Sequence, residues 1–181
     1  MGGYTKETET HGLSWLSRSA NEGSTTGFTG SDWGSAATQK AINSAAANGH
    51  LSVVKFLISN RTEGFSSQAI DSAASNGYLE IVKYLNGLPD SSCTKSAVDQ
   101  AIMNKHTDIA KYLLENRTEG CSNVAILNAI FNNDIEALDV LYSSPLSRKE
   151  IAIQDSIALS SVYGHDLLRD YLVTKSVTPS Q

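Results

Sequence analysis

The chain repeats itself every 28 residues. Ala41 to Gln68 reads AINSAAANGHLSVVKFLISNRTEGFSSQ, Ala69 to Ser96 reads AIDSAASNGYLEIVKYLNGLPDSSCTKS, and Ala97 to Val124 reads AVDQAIMNKHTDIAKYLLENRTEGCSNV. A fourth copy opens at Ala125 with AILNAIFNNDIEALDVL, and a fifth opens at Ser156 with SIALSSVYGHDLLRDYL, three residues late. A fixed period of this size restricts the fold severely. Each copy is one supersecondary unit that cannot bury its own apolar face, so neighbouring copies must stack into a continuous core.

Within one copy the apolar residues come in two short runs. Ala41, Ile42, Ala45 and Ala46 recur at i, i+1, i+4 and i+5, the spacing of one helix face. Val53, Val54, Phe56 and Leu57 form the second run, over about Leu51 to Ser59. Each predicted helix is about 15 Å long, too short to be stable without tertiary burial. Between the runs stand Asn48-Gly49, Asn76-Gly77, Asn104-Lys105, Asn132-Asn133 and Tyr163-Gly164. Glycine there can take positive φ and reverse the chain, which predicts an antiparallel helical hairpin and places Lys105 in a conformation it tolerates poorly. Thr38, Ser66, Thr94 and Ser122 recur just before the first helix, where a hydroxyl can accept from an unpaired backbone N–H. Ala37, Phe65, Cys93 and Cys121 precede them, at the staple position. Glu80, Asp108 and Glu136 open the second helix, suiting its positive end. The alanine columns at 41, 69, 97, 125 and at 45, 73, 101, 129 predict closely packed helices, about 8–10 Å apart.

These residues resemble the ankyrin repeat family. AAANGHLSVVKFL, AASNGYLEIVKYL and AIMNKHTDIAKYL are similar to the family's A-A-x-x-G-H-L-E-V-V-K-x-L, and the resemblance extends from about Thr38 to Leu172. The usual ankyrin repeat has about 33 residues and carries T-P-L-H-x-A. Here the equivalent positions read Lys40-Ala41-Ile42-Asn43 and Gln68-Ala69-Ile70-Asp71, and the shortening falls between repeats. That predicts a tight loop over Arg61 to Phe65 in place of a projecting β-hairpin finger. The expected fold is therefore all-α, an αα-hairpin solenoid of about five ankyrin-like repeats with short or absent fingers.

Three segments are expected. Residues 1–30, rich in Gly, Ser and Thr, read as a flexible leader. Leu13-Ser14-Trp15-Leu16 followed by Asn21-Glu22-Gly23 reads equally as a worn leading repeat. Residues 31–174 read as the repeat array, interrupted by a loop at Ser143-Ser144-Pro145-Leu146-Ser147. The fifth repeat exchanges alanines for Ser156, Ser160 and Ser161, as a terminal repeat facing water would. Patternless sequence begins at Val173, and residues 175–181 read as a mobile tail.

Composition removes several function classes. The net charge is −5 and the pI about 5.3, which argues against a nucleic-acid or anionic-membrane partner, since both need clustered Lys and Arg. No apolar run approaches the ~20 residues of a membrane span, and no apolar signal core opens the chain. MGGYTK lacks the hydroxyl residue of a myristoylation signal, Lys6 standing in its place. The expectation is an intracellular, cytoplasmic monomer.

No chemistry-bearing constellation emerges. His50, His106 and His165 share one repeat column with Tyr78 and Asp134, about two repeat spacings apart, roughly 20 Å. That is too far to share a metal, and His11 lies in the leader. Cys93 and Cys121 share another column at about 10 Å, beyond the roughly 4.4–6.8 Å that a disulfide spans. Two reduced thiols suit a reducing compartment. Asn60-Arg61-Thr62 and Asn116-Arg117-Thr118 match the glycosylation triplet, but no secretory signal accompanies them. No phosphate loop, G-x-S-x-G or nucleophile–base pair is present, so neither an enzyme nor a cofactor is expected. Lys55, Lys83 and Lys111 form a charged column that Asp139 and Asp170 continue; a solvated face explains it, and a docking stripe is the alternative.

The resemblance implies where binding occurs. In the family, the two residues before Gly-His line a concave face that binds a partner protein. They map onto Ala47 and Asn48, Ser75 and Asn76, Met103 and Asn104, Phe131 and Asn132, and Val162 and Tyr163. The asparagines have a second reading as turn residues. Met103, Phe131, Val162 and Tyr163 would form an apolar run, unless they pack against the loop at Pro145. The expected function is non-catalytic protein binding. The rival readings are an adaptor or effector that recruits an enzyme such as a ubiquitin ligase, and a structural fragment of a longer array. A helical solenoid that reads nucleic acid is a distant third.

Overall fold

The structure, a computed structural model, describes residues 35–60, 64–146 and 153–177. Among these residues there are ten helices and no strand. They alternate as hairpins: α1 (Ser35–Ala47) with α2 (Leu51–Asn60), α3 (Ser67–Ser75) with α4 (Leu79–Asn86), α5 (Lys95–Met103) with α6 (Thr107–Asn116), α7 (Asn123–Phe131) with α8 (Ile135–Ser143), and α9 (Ile153–Val162) with α10 (Asp166–Val177). The chain divides into two compact units, Met1–Cys93 and Thr94–Gln181. The described residues are thus an all-α helical repeat array. The leader reading for residues 1–30 falls outside the described residues, as does the loop over residues 61–63.

In the first unit α1 packs on α2 and α3, α3 on α4, and α2 on α4. In the second unit α5 packs on α6 and α7, α7 on α8 and α9, α6 on α8, and α9 on α10. First helices thus stack on first helices and second on second. The reason is visible in the columns. Ala41, Ala45, Ala69 and Ala73 are buried in the first unit, and Ala97, Ala101, Ala125 and Ala129 in the second, with Ile42, Ile70, Ile102, Ile126 and Ile130 filling between them. Val53, Leu57, Ile81 and Leu85, then Ile109, Leu113, Leu138 and Leu141, bury the second helices.

Every interhelical turn closes in the same way. His50 N donates to Ala45 O at 2.9 Å and Gly49 N to Ala46 O at 3.4 Å, the paired bonds of a Schellman motif. Tyr78, His106, Asp134 and His165 repeat the first of these bonds. The residue that turns the chain has positive φ throughout: Gly49 80°, Gly77 83°, Lys105 63°, Asn133 52° and Gly164 71°. At Gly49 the requirement is double, because a Cβ there would come within 2.5 Å of the Tyr78 ring. The aromatic ring of the following repeat lies across the turn.

The helix starts differ in part from expectation. Thr94 and Ser122 cap as expected, their hydroxyls accepting from Ser96 N and Val124 N at 3.1 Å. Ser66 stands in extended conformation at its helix start but makes no such cap bond. Its hydroxyl instead bonds the Asn43 side chain of the preceding repeat at 2.9 Å. Thr38 is no cap at all. Ser35-Ala36-Ala37 prolongs α1 toward the N-terminus, leaving Thr38 buried inside the helix with Oγ1 unpartnered among the described residues.

The last repeat corrects two expectations. Ser156 and Ser160 do not face water: both are buried, Ser156 bonded to the Tyr142 hydroxyl at 2.7 Å and Ser160 to Ser156 O at 2.8 Å. Only Ser161 is exposed, its hydroxyl donating to Ile157 O at 3.0 Å. The sequence from Val173 continues α10 as far as Val177, with Lys175 ion-paired to Asp139 at 2.6 Å. The remainder of the expected tail, residues 178–181, lies outside the described residues.

Candidate interaction surface

The connections between repeats settle which surfaces remain free. The second NRTEG linker runs from Arg117 to Cys121, between α6 and α7, and forms no hairpin finger. Arg117 pairs with Glu119 through both its Nε and its terminal nitrogen. The Arg117 hydrogen bonds hold the Glu119 carboxyl at about 2 instead of its ordinary 4.5, helped by the Thr118 N–H and opposed by partial burial. Gly120 takes φ 70° with Leu146 O 3.3 Å from where a Cβ would stand. The linker is thus folded back on itself, occupied by its own contacts.

The second helices carry the lysine column. In the first unit Lys55 Nζ lies 5.3 Å from the centroid of the Tyr84 ring, one repeat on, and Lys83 pairs with Glu80 at 3.0 Å. In the second unit Asp139 replaces lysine, and the same geometry becomes a hydrogen bond from the Tyr171 hydroxyl at 2.5 Å. Lys175 and Tyr171 together lower the Asp139 pKa, while burial and Asp139 raise that of Tyr171. At Lys55 and Asp139 the column links one repeat to the next.

The first helices present the ten residues expected to bind. In the first unit Ala47 and Ser75 are half-buried, and the asparagines are occupied by the backbone. Asn48 Nδ2 donates to Ser44 O at 2.8 Å, and Asn76 Nδ2 donates to Ser72 O at 3.0 Å and to Ala47 O of the preceding repeat at 3.1 Å. In the second unit Asn132 does the same, reaching Ile102 O at 3.2 Å and Met103 O at 2.9 Å. Of these carbonyls, Ala47 O and Met103 O end their helices without an intrahelical donor. Asn76 and Asn132 are therefore stitches between repeats, and Asn104 is an exposed turn residue with hydrogen-bonding of its own.

The apolar members stand apart. Met103 is 52 % exposed, Phe131 70 %, Val162 79 % and Tyr163 52 %, so they are not packed away against the Pro145 loop. All four lie in the second unit. Phe131 and Tyr163 meet edge to face with centroids 6.2 Å apart, and His165 stacks on Tyr163 at 6.0 Å. Two further members were not expected. Val124 and Leu127, 47 % and 43 % exposed, share the face of α7 that carries Phe131, at i, i+3 and i+7. Their signal was present in the sequence. Their columns read Lys40, Gln68, Ser96 and Asn43, Asp71, Asp99 in the earlier repeats, and only the fourth repeat turns both apolar. A helix apolar on every side is normally enclosed, yet α7, packed on α5, α8 and α9, leaves its Val124, Leu127 and Phe131 face exposed.

No group of three or more His, Cys, Asp and Glu residues is placed to hold a metal among the described residues. Cys93 and Cys121 are buried free thiols. No helix among the described residues is long and apolar enough to cross a membrane. A family model described as ankyrin repeats (many copies) matches residues 42–85 and 98–141. No curated protein matches the chain.

Proposed function

The chain belongs to the ankyrin repeat family, whose repeats are in general protein–protein interaction modules, and from that premise we propose that it binds a partner protein through the concave, first-helix face of the array, without catalysis. The observation that carries this reading is the exposed apolar face of α7 with Met103, Val162 and Tyr163 beside it. Monomers rarely leave so continuous a patch uncovered unless it has an occupant. Of the ten residues that the family pattern nominates, Met103, Phe131, Val162 and Tyr163 would make the contact, while Asn132 keeps the repeats of the second unit in register so that the patch stays continuous. Asn104 would contribute only a small polar margin, while Ala47, Asn48, Ser75 and Asn76 would offer a small-residue surface on the first unit by itself.

The test is a pull-down from native lysate with the wild-type chain and a Met103→Ser, Phe131→Ser variant of equal helicity. A partner captured by wild type and lost by the variant supports the reading. A partner held equally by both moves the contact elsewhere, to the lysine column of the second helices first. Capture of nothing by either chain removes the reading.

A further inference from the structure

Thr38 is buried where its column is not. Ser66 and Ser122 are half-buried and Thr94 is exposed, yet Thr38 has no exposed surface, and its Oγ1 finds no partner among the described residues. The linker after the second helix does not make the difference, because its counterpart from Arg117 to Glu119 leaves Thr94 exposed. Whatever encloses Thr38 is apolar at the contact, since a buried polar group would have paired with the hydroxyl.

The columns beside it show the same imbalance. Ser156 bonds the Tyr142 hydroxyl of the preceding repeat at 2.7 Å, so its column, which opens with Ala41, faces backward along the array. The columns of Ala46 and Val54 face onward. They are buried in the first four repeats and surface in the fifth as exposed Ser161 and half-buried Arg169. An uncovered end thus exposes its outward columns. The first repeat has no described residue before Ser35, yet Ala41 is only 3 % exposed, and Val53 and Leu57 of α2 are buried. Outside the described residues, the first unit holds only residues 1–34 and the linker at 61–63.

Residues 1–34 carry side chains suited to that end. Leu13, Trp15, Leu16, Glu22 and Gly23 repeat the spacing of Val54, Phe56, Leu57, Glu63 and Gly64, and of Ala110, Tyr112, Leu113, Glu119 and Gly120. That is the pattern of a second helix and its linker. Ala41 then follows Gly23 by eighteen residues, where Ala69 follows Gly64, and Ala125 follows Gly120, by five. The surplus includes Phe28 and Trp33 and is long enough to cross the about 8–10 Å between neighbouring helices.

We propose that the leader closes this end of the array. Residues 13–16 dock against α2 as the second helix of a half repeat, and the residues after Gly23 cross Thr38 and Ala41 of α1. Leu13 stands in the onward-facing column of Val54 and meets α2 at Val53. The face on which another repeat would stack is then taken by the chain itself.

Both tryptophans of the chain lie in the leader, so Trp33→Phe leaves Trp15 as the sole reporter. In the full chain carrying Trp33→Phe, Trp15 is expected to be less accessible to acrylamide than after unfolding, and to gain access in the same urea transition that removes the helicity. The difference between wild type and Trp15→Phe supplies the same reading if Trp33→Phe disturbs the fold. A Trp15 equally accessible before and after unfolding overturns the proposal, as does one freed while the helicity is intact. Leu13→Ala and Val53→Ala, each at unchanged helicity, locate the contact. Each lowers the urea midpoint, and the double variant lowers it by less than the sum of the two, because a shared contact is lost only once. Additive shifts put Trp15 on another surface and overturn the docking on α2.

Discussion

Lys105 holds φ 63° at the point where Gly49, Gly77 and Gly164 turn their repeats. A side chain in the left-handed region costs about 1–2 kcal/mol, whereas glycine costs roughly 0.5–1 kcal/mol in backbone entropy. Lys105→Gly is therefore expected to stabilise the chain by about 0.5–1 kcal/mol, read as a raised midpoint in urea with unchanged slope. A lowered midpoint would mean that the lysine side chain contributes more than its backbone costs. At Glu119 the effect is on proton binding. Its carboxyl is held at about 2 by Arg117, against an ordinary 4.5. A carboxylate depressed in the folded state stabilises the fold above the ordinary value and loses that contribution as pH falls toward the folded one. Thermal midpoints measured between pH 5 and about 2 should fall more steeply for wild type than for Glu119→Gln. Parallel curves would show that the pair does not contribute.

At the scale of the helix, no element here is stable alone. α4 has eight residues and α7 nine, below the length at which an isolated helix persists in water. Burial must supply the difference, so Leu85→Ala, in a fully buried position of α4, should cost about 2–5 kcal/mol in denaturant titration. A neutral result would mean that the second-helix stack does not bear on Leu85. Polar bonds set the register of the same stack. Asp99 accepts from Ser122 N at 2.9 Å and from the Ser122 hydroxyl at 2.5 Å, binding the start of α7 to the body of α5. Asp99→Ala leaves the Ser122 N–H without its acceptor and should cost about 1–3 kcal/mol, with Leu127→Ala near zero in the same assay.

The molecule as a whole was legible wherever a column repeats. The period gave the hairpins, the turn residues gave the left-handed backbone, and the alanines gave the close first-helix stack. Thr38 was misread because capping was inferred from its column alone, although two alanines, Ala36 and Ala37, precede it. Ser156 and Ser160 were misread because hydroxyls were equated with water, whereas both are satisfied by Tyr142 and by their own helix. The exposed apolar surface was half legible. Met103 and Phe131 followed from the family pattern, but Val124 and Leu127 required asking where one repeat departs from the others. The stitching asparagines could not be told from turn residues, because a side chain's reach across to the preceding repeat leaves no mark in a single sequence.

The bonds from Asn43 to Ser66 and from Asp99 to Ser122 each span 23 residues. They act as a ruler: in the first and third repeats one side chain reaches forward and marks where the next must begin. Leu127 has nothing to reach with, and the repeat after it is the one that opens three residues late. At Asn43 and Asp99 spacing is set by side-chain chemistry, and it drifts after Leu127, where that chemistry is lost. Three residues inserted between Asp99 and Ser122 should therefore unfold the second unit's stack, while three removed after Leu146 should leave its helicity intact.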